Sequence, residues 1–236
     1  MFDLVDEQDA EPARDRAPGS VDEDGPDEAV VELLGLLGYG ELTAFERLAT
    51  DARMAPTLAD KMALASMAAA EFAHFTVARD HLAALGVDPE QAMAPFVGVL
   101  NRFHNLTAPA DWLESLVKAY VGDGMTSDFY REIATVLEPD TREIIYEVLG
   151  DTGHAAFAVD RVRAAIEADA TVAGRLALWG RRLMGEALTQ AQRVALDHEP
   201  LARLLSNMGD LTELGKMFNR ITRAHAERMA ALGLST

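Results

Sequence analysis

The sequence predicts an all-α protein in which four long helices form a bundle and two further helices follow. Apolar residues recur at helical spacing from about residue 28 almost to the end of the 236-residue chain. The strict alternation of apolar and polar residues that indicates a half-buried strand is essentially absent. Prolines and glycines divide the helical pattern into separate segments. Together these observations favour a helical bundle over any fold that contains a sheet.

The first two predicted helices form a hairpin. The first covers about residues 28–53 and carries an apolar row formed by Val31, Leu34, Leu37, Phe45 and Leu48. Three glycines weaken this helix by about 1 kcal/mol each relative to alanine: Gly35, Gly38 and Gly40. Pro56 separates it from the second helix, expected over about 58–85, for which Thr57 is the N-cap with Asp60 at the third position. Gly86 is the expected C-terminal stop.

The later helices follow a long connection. Residues 87–108 contain Pro95 and predict a short helix within a crossover. The Glu138-Pro139 pair is expected to divide the third helix from the fourth. These later helices are expected over about residues 109–137, 140–168, 171–197 and 209–232. Four long helices joined by short, long and short connections have the ferritin-like topology.

The formal charge of −18 is unevenly distributed. Residues 1–29 hold eleven acidic residues and two arginines, a charge of −9, so the remainder of the chain also carries −9. Residues 1–27 combine this charge with prolines and glycines and are predicted to be a disordered acidic tail. Residues 28–236 then form the helical domain, with a bundle core over about 28–169 and extra helices over about 171–232.

Composition and charge exclude several classes of function. The chain has no cysteine, which excludes disulfides, iron–sulfur clusters, zinc–cysteine sites and thiol nucleophiles. The acidic domain lacks the basic surface of a typical nucleic-acid-binding protein, although residues 171–236 have nine Lys/Arg against six acids. We expect no signal peptide, no membrane span and no membrane partner, and therefore a cytoplasmic protein.

Two short segments contain an acid and a histidine three residues apart. Glu71 and His74 lie in AAAEFAHF, and Asp151 and His154 lie in GDTGHAAF. An earlier acid precedes each pair, Glu41 by 30 positions and Asp123 by 28. The corresponding acids and histidines of the two halves are 80 to 82 residues apart, which indicates a duplicated helix hairpin.

The spacing predicts that the six side chains converge. A residue about 30 positions later, across a tight turn, returns to the same height on an antiparallel helix, and residues three apart share a face. Four carboxylates and two imidazoles in a bundle core are typical of di-iron or di-manganese carboxylate proteins. The predicted metal ligands are Glu41, Glu71, His74, Asp123, Asp151 and His154, and the predicted cofactor is two iron ions, with manganese as the other metal.

Several neighbouring residues are alternatives to these ligands or have other predicted roles. Glu46 could replace Glu41, Asp128 or Glu132 could replace Asp123, and Glu147 lies one turn before Asp151. The other histidines are expected at the surface or as helix caps: His81, His104, His198 and His225. The aromatic residues considered for excluding water near the metal, each of which is otherwise an ordinary core residue, are Phe45, Phe72, Phe75 and Phe157. The tyrosines considered for radical or proton chemistry are Tyr39, Tyr120 and Tyr130.

Three segments of the chain resemble a known protein family. They are LLGYGELTAFERLATDARMAPTLADKMALASMAAAEFAHF, PADWLESLVKAYVGDGMTSDFYREIA and DTGHAAFAV. They are similar to the actinobacterial ferritin-like proteins grouped with the tRNA isopentenyladenosine hydroxylases, over about residues 28–200. The ligand pattern of those hydroxylases is Glu, Glu-x-x-His, Glu, Glu-x-x-His, and it maps onto the same six positions. This chain departs from the pattern at Asp123 and Asp151, where aspartate replaces glutamate.

The resemblance implies a non-haem di-iron monooxygenase or hydroxylase. The implied partners are dioxygen, an apolar substrate such as an isopentenyl-modified tRNA base, an electron-donor protein and, for assembly, a second copy of the chain. The acidic surface disfavours tRNA, because tRNA binding draws on phosphate contacts with Lys and Arg. The alternatives are an iron-handling or peroxide-consuming protein without an organic substrate, and a helical interaction protein whose metal is structural.

Overall fold

The structure is a computed structural model that describes residues 26–150 and 155–236. Within these residues the regular secondary structure is helical and contains no strand, so the predicted all-α class is confirmed. The helices are α1 (Glu28–Asp51), α2 (Leu58–Ala84), α3 (Pro89–Met93), α4 (Val97–Leu106), α5 (Trp112–Ala134), α6 (Pro139–Val148), α7 (Ala155–Ala168), α8 (Thr171–Asp197), α9 (Glu199–Ser206) and α10 (Leu211–Ala231).

The glycines of α1 do not break the helix, because two of them allow close packing. A Cβ atom at Gly35 would overlap the backbone carbonyl of Ala92 in α3. At Gly38 it would lie 3.4 Å from both the Ala78 Cβ of α2 and the Met93 Sδ. At Gly35 the intrinsic cost of glycine in a helix is thus offset by tertiary packing that only a residue without a side chain permits.

Helix α2 begins and ends where the sequence predicts. The Thr57 hydroxyl oxygen accepts a hydrogen bond from the Asp60 backbone N–H at 3.1 Å and donates one to the Asp60 carboxylate at 2.7 Å. The Asp60 carboxylate also accepts a hydrogen bond from Arg161 Nε at 2.6 Å, which connects the start of α2 to α7. Gly86, with φ of +74°, reverses the chain after the helix.

The fourth predicted helix is interrupted, so the prediction of one continuous helix over about 140–168 was wrong. Helix α6 ends at Val148, and Leu149 has left helical geometry with ψ of 23°. The Gly150 N–H bonds the Glu147 carbonyl three residues back, a tight terminal turn with which helices commonly end. The described part of α7 covers Ala155–Ala168. Residues 151–154, which include Asp151 and His154, lie outside the described residues, as do residues 1–25 of the predicted tail.

The bundle contains two apolar clusters, one at each end. Among the described residues, one joins the first half of α1 and the last half of α2 to α3, the end of α5, α6 and α9, and the other joins the opposite halves of α1 and α2 to the rest of α5, α7, α8 and α10. In α1 the boundary falls between Leu37 and Leu48, and in α2 between Ala68 and Ala78. Glu41 and Glu71 lie within these two boundary segments. The predicted polar site is therefore located where the two cores meet.

We expect alanine at Gly35 to destabilise the protein by about 1–3 kcal/mol, because the added methyl group cannot be accommodated against the α3 backbone. Gly185, inside α8, is the matched control, since a Cβ there meets nothing within 4 Å. Gly185→Ala should stabilise the protein by about 0.5–1 kcal/mol. Denaturant unfolding followed by circular dichroism measures both free energies, and equal effects of the two substitutions would contradict this account of α1 packing.

Candidate metal centre

Three of the predicted ligands come together between α1 and α2. His74 Nδ1 lies 3.7 Å from Glu41 Oε2 and 3.6 Å from Glu71 Oε2. One possible ligand atom from each of the three residues lies within 4.8 Å of those of the other two. Both glutamates are buried, with exposed fractions of 7% and 8%. The predicted hairpin geometry therefore holds for the first half of the ligand set.

The cluster holds two buried carboxylates against one imidazole. Burial raises the pKa of Glu41 well above its usual value, and the adjacent Glu71 raises it further while His74 opposes the shift. The same two carboxylates raise the pKa of His74 to about 10. The 3.6–3.7 Å contacts are ion-pair distances rather than hydrogen bonds. Without a metal ion, His74 is thus the cation that compensates this buried negative charge.

Of the other predicted ligands, Asp123 lies beside the same cavities as the cluster, and the remaining two lie outside the described residues. Asp123, on α5, lines two cavities that Glu41 and Glu71 also line. A Cβ atom at Gly150 would lie 3.8 Å from His74 Nε2, so the end of α6 approaches the ring edge that faces away from the carboxylates. Asp151 and His154 follow directly in sequence, outside the described residues. Their roles as ligands remain predictions.

The cluster separates two cavities of different character. The first, with a volume of about 270 Å³, is predominantly apolar and is bounded by side chains such as Leu37, Leu100 and Tyr130. The second, of about 370 Å³, also borders His74 and is bounded by polar side chains that include Ser127 and Arg228. An ion bound by the three ligands would therefore face an apolar space on one side and a polar space on the other.

The alternative acids have other environments in the structure. Glu46 is exposed on α1. Asp128 pairs with Arg228 at 2.7 Å, and Glu132 pairs with Arg220 at 2.6 Å. The Glu147 side chain is 63% exposed, and its carboxylate lies 3.6 Å from His81 Nε2. Within the described residues, the cluster that could hold a metal therefore consists of Glu41, Glu71 and His74.

The aromatic residues around the apolar cavity differ from those expected. Phe45, Phe72 and Phe75 contact one another with ring centroids 5.2 and 5.6 Å apart, but Phe72 is 43% exposed. Phe157 packs edge-on against Trp112. None of the four predicted phenylalanines is among the described residues that line this cavity, and the aromatic residues that do so are Phe103, Phe129, Tyr130 and Phe218.

Of the histidines expected at the surface or as helix caps, two are partly or fully buried and a third lies between two helices. His104 Nε2 lies 3.0 Å from Thr43 Oγ1, and burial lowers the pKa of His104 to about 3. His225 is 4% exposed. His198 stacks on Phe96 with ring centroids 4.5 Å apart, at the junction of α8 and α9.

Sequence reasoning also missed polar residues that line the apolar cavity, among them Arg47 and Gln190. Gln190 interrupts an apolar row of α8, seven residues after Leu183 and four before Val194. Glu41 interrupts the apolar row of α1 in the same way, four residues after Leu37 and four before Phe45, so the signal was present in the sequence. No acid–histidine spacing accompanied it, and it was therefore not recognised as part of a site.

The donor atoms of the cluster fit a transition-metal ion with a preference for oxygen and nitrogen. Two carboxylates and an imidazole, in which one carboxylate and the imidazole lie three residues apart on one helix, are half of the ligand set of a di-iron carboxylate centre. The buried carboxylates also provide the electrostatic reason for a cation. The described residues thus include a cluster that could hold one metal ion.

Comparisons with known proteins agree with this fold. No curated protein shows significant similarity to the chain. Among solved structures, a protein with aldehyde deformylating oxidase activity from Synechococcus is similar, with a TM-score of 0.67 and 20% sequence identity over 89% of this chain and 91% of that chain. The family model of the ferritin-like domain of actinomycetes matches residues 24–208. The chain therefore belongs to the actinomycete ferritin-like domain family.

Proposed function

We propose that this protein is a non-haem iron oxidoreductase that activates dioxygen and oxidises an apolar substrate. The observation that carries the proposal is the position of Glu41, Glu71 and His74, which form a buried ligand cluster in contact with an apolar cavity. A metal-binding helical bundle needs no such cavity if its metal is only structural. The similar fold of a Synechococcus protein with oxidase activity supports the proposal.

The proposed ligand set extends the described cluster to six residues. Glu41, Glu71 and His74 would hold one iron ion. Asp123, together with Asp151 and His154, would hold the second. Each aspartate is one methylene shorter than glutamate, so the second ion would be held less closely than the first.

The protein side chains have defined roles in this chemistry. The proposed ligands would hold iron, which in its reduced state would supply electrons to dioxygen, and an electron-donor protein would restore that state. The leucines of the apolar cavity exclude water from the side on which the substrate would lie. Tyr130 is buried beside the same cavity, and its burial raises its pKa well above the usual value, so its hydroxyl group stays protonated.

An isopentenyl-modified tRNA is the substrate that the family resemblance suggests, but the charge distribution favours a small molecule. Nine Lys/Arg residues form the basic excess of residues 171–236. Most of them already face acids, in the pairs Arg175–Asp111, Arg203–Glu199, Lys216–Glu213, Arg220–Glu132 and Arg228–Asp128. Side chains engaged in this way are poorly placed to contact phosphates.

An iron-handling or peroxide-consuming protein is the second candidate. The polar cavity on the other side of His74 favours it, because a polar cavity offers hydrated ions and peroxide a path to the same ligands. The two functions differ in their need for an organic substrate. Peroxide-driven oxidation of bound iron, at full rate and without any organic compound, would support this candidate over the oxygenase.

We expect iron to co-purify with the protein when cells are lysed and fractionated anaerobically. His74→Ala should remove most of it, because the substitution deletes one ligand and leaves two buried carboxylates without their cation. His81→Ala, on the same helix but outside the cluster, is the control and should retain the metal. Elemental analysis by mass spectrometry measures the metal content. Equal metal in the two variants, or neither iron nor manganese in the native protein, would rule out the proposed centre.

Asp123→Asn should lower the metal content without abolishing it, because the first ion would keep its three ligands. Asp128→Asn is the matched control on the same helix, since Asp128 pairs with Arg228 rather than joining the cluster. Elemental analysis together with Mössbauer spectroscopy of iron-57-loaded protein distinguishes one bound ion from two. An unchanged iron content in Asp123→Asn would remove this residue from the ligand set.

Metal binding should release protons, and the apparent affinity should rise with pH. The pKa of His74 is about 10 in the metal-free cluster, and that of Glu41 is also raised, so a metal ion must displace bound protons at neutral pH. Calorimetric titration with Mn²⁺ in buffers of different ionisation enthalpy measures the release. His81→Ala should release as many protons as the native protein. An affinity that does not change between slightly acidic and slightly basic pH would contradict the described charge state.

A further inference from the structure

The apolar cavity contains a polar region that the proposed iron ligands do not explain. Gln190 is 4% exposed and lines the cavity, yet neither its Oε1 nor its Nε2 has a hydrogen-bond partner within the described residues. The Nε of Arg47 is likewise buried beside the cavity without a partner. Buried polar groups are normally hydrogen-bonded, because leaving them unpaired costs free energy. Two such side chains from α1 and α8 on one cavity therefore indicate a bound polar group.

The charges around this region favour a single negative charge on the ligand. Lys118 is 8% exposed, donates a hydrogen bond to the Thr107 carbonyl at 2.8 Å and interacts electrostatically with buried Asp51. Arg47 forms no salt bridge with any described residue, although Asp51 is near enough to interact with it. The three charged side chains that line this part of the cavity therefore sum to one excess positive charge. A guanidinium group binds a planar carboxylate particularly well, since the geometry of its N–H groups matches the two oxygens.

His104 completes the polar region as a hydrogen-bond acceptor. The Thr43 hydroxyl group donates to the Gly40 carbonyl at 2.9 Å, so the His104 Nε2 contact with Thr43 requires that Nε2 carry the proton. The remaining ring nitrogen, Nδ1, is buried without a partner and can only accept a hydrogen bond. It would be satisfied by a water molecule or a ligand hydroxyl, which leaves Arg47 and Gln190 as the donors for an anion.

The polar region and the candidate metal centre occupy different levels of one cavity. Arg47 follows Glu41 by six residues in α1, which corresponds to about 9 Å along the helix axis. Lys118 precedes Asp123 by five residues in α5, about 7.5 Å. Apolar side chains account for most of the remaining wall, among them Leu33, Leu37, Leu100, Val194 and Leu201. A ligand anchored at Arg47 would thus extend an apolar chain past Glu41.

We propose that this cavity binds an aliphatic carboxylate of medium chain length, with the carboxylate at Arg47 and Gln190 and the alkyl chain along the leucine-lined wall. The cavity volume of about 270 Å³ is about nine times the ~30 Å³ that one water molecule occupies in the liquid, which suits a short to medium chain. As a statement about the substrate, this inference rests on the proposed function. A methylene group of the chain, rather than the carboxylate carbon, would then face the candidate metal centre.

Calorimetric titration of the full-length protein with decanoate and with its uncharged methyl ester tests the proposal. We expect decanoate to bind the native protein and Arg102→Met equally, because Arg102 is exposed on α4 and does not line the cavity. Arg47→Met should weaken decanoate binding by about 10- to 100-fold through loss of a charge-assisted pair, and should leave binding of the ester unchanged. Gln190→Leu should weaken decanoate binding less, since it removes an uncharged donor.

The proposal is overturned if the native protein does not bind decanoate, or if Arg47→Met binds decanoate as strongly as the native protein does. Circular dichroism shows whether the variants are folded. If Arg47→Met does not fold, Gln190→Leu decides, and unchanged decanoate binding in that variant counts against the proposal. The titration involves neither iron nor turnover. Failure of the proposed metal centre would therefore appear in the elemental analysis of His74→Ala, whereas failure of the proposed carboxylate site would appear only in the decanoate titration.

Discussion

The structure depends on a compensated set of charges where its two apolar cores meet. Glu41 and Glu71 are both buried, and His74 is the cation that faces them at 3.6–3.7 Å. Burying a carboxylate is costly unless it is paired, so the imidazolium compensates one carboxylate and burial favours the protonated form of Glu41. A bound metal ion would displace these protons and supply the positive charge in their place. Metal binding and folding of the α1–α2 hairpin are then thermodynamically linked, because the binding free energy stabilises only the folded arrangement.

Much of this arrangement could be predicted from the sequence because its signals are local. The Thr57 cap and the Gly86 stop fix α2 to within a residue, and the spacing of Glu71 and His74 on that helix fixes their common face. Glu41 could be placed opposite them because, in two helices joined by a tight turn, the number of residues between two positions determines whether they lie side by side. Asp123 was predicted in the same way, from its spacing to a later acid–histidine pair, and it lies on α5 beside the same cavities.

Other features could not be predicted because they depend on contacts between distant segments. Gly35 weakens a helix in isolation, and only its packing against Ala92 shows why α1 tolerates it. Gly150 follows the end of α6 at Val148, but glycines also lie inside α1, so a glycine alone does not mark a helix end. The apolar cavity is formed by residues of several helices, including the crossover helix α4 and the helix α8 that follows the four-helix core. No spacing rule connects those segments. His104 was expected at the surface for the same reason, since its partner Thr43 is 61 residues away.

The helices that follow the four-helix core contribute the two different sides of the candidate metal centre. Helix α8 supplies Met184 and Val194 to the apolar cavity. Helix α10 supplies Phe218 to the apolar cavity and Arg228 to the polar cavity. Arg228 passes so close to Gly124 that a side chain there would overlap it. The family match ends at residue 208, before α10 begins, so Arg228 belongs to a part of the chain that the match does not cover. The α1–α2 hairpin and α5 thus provide the proposed ligands, whereas α8 and α10 determine which molecules can approach them. A change of substrate in a related chain would then be expected in α8 and in the part of α10 that lines the apolar cavity, with the ligands themselves retained.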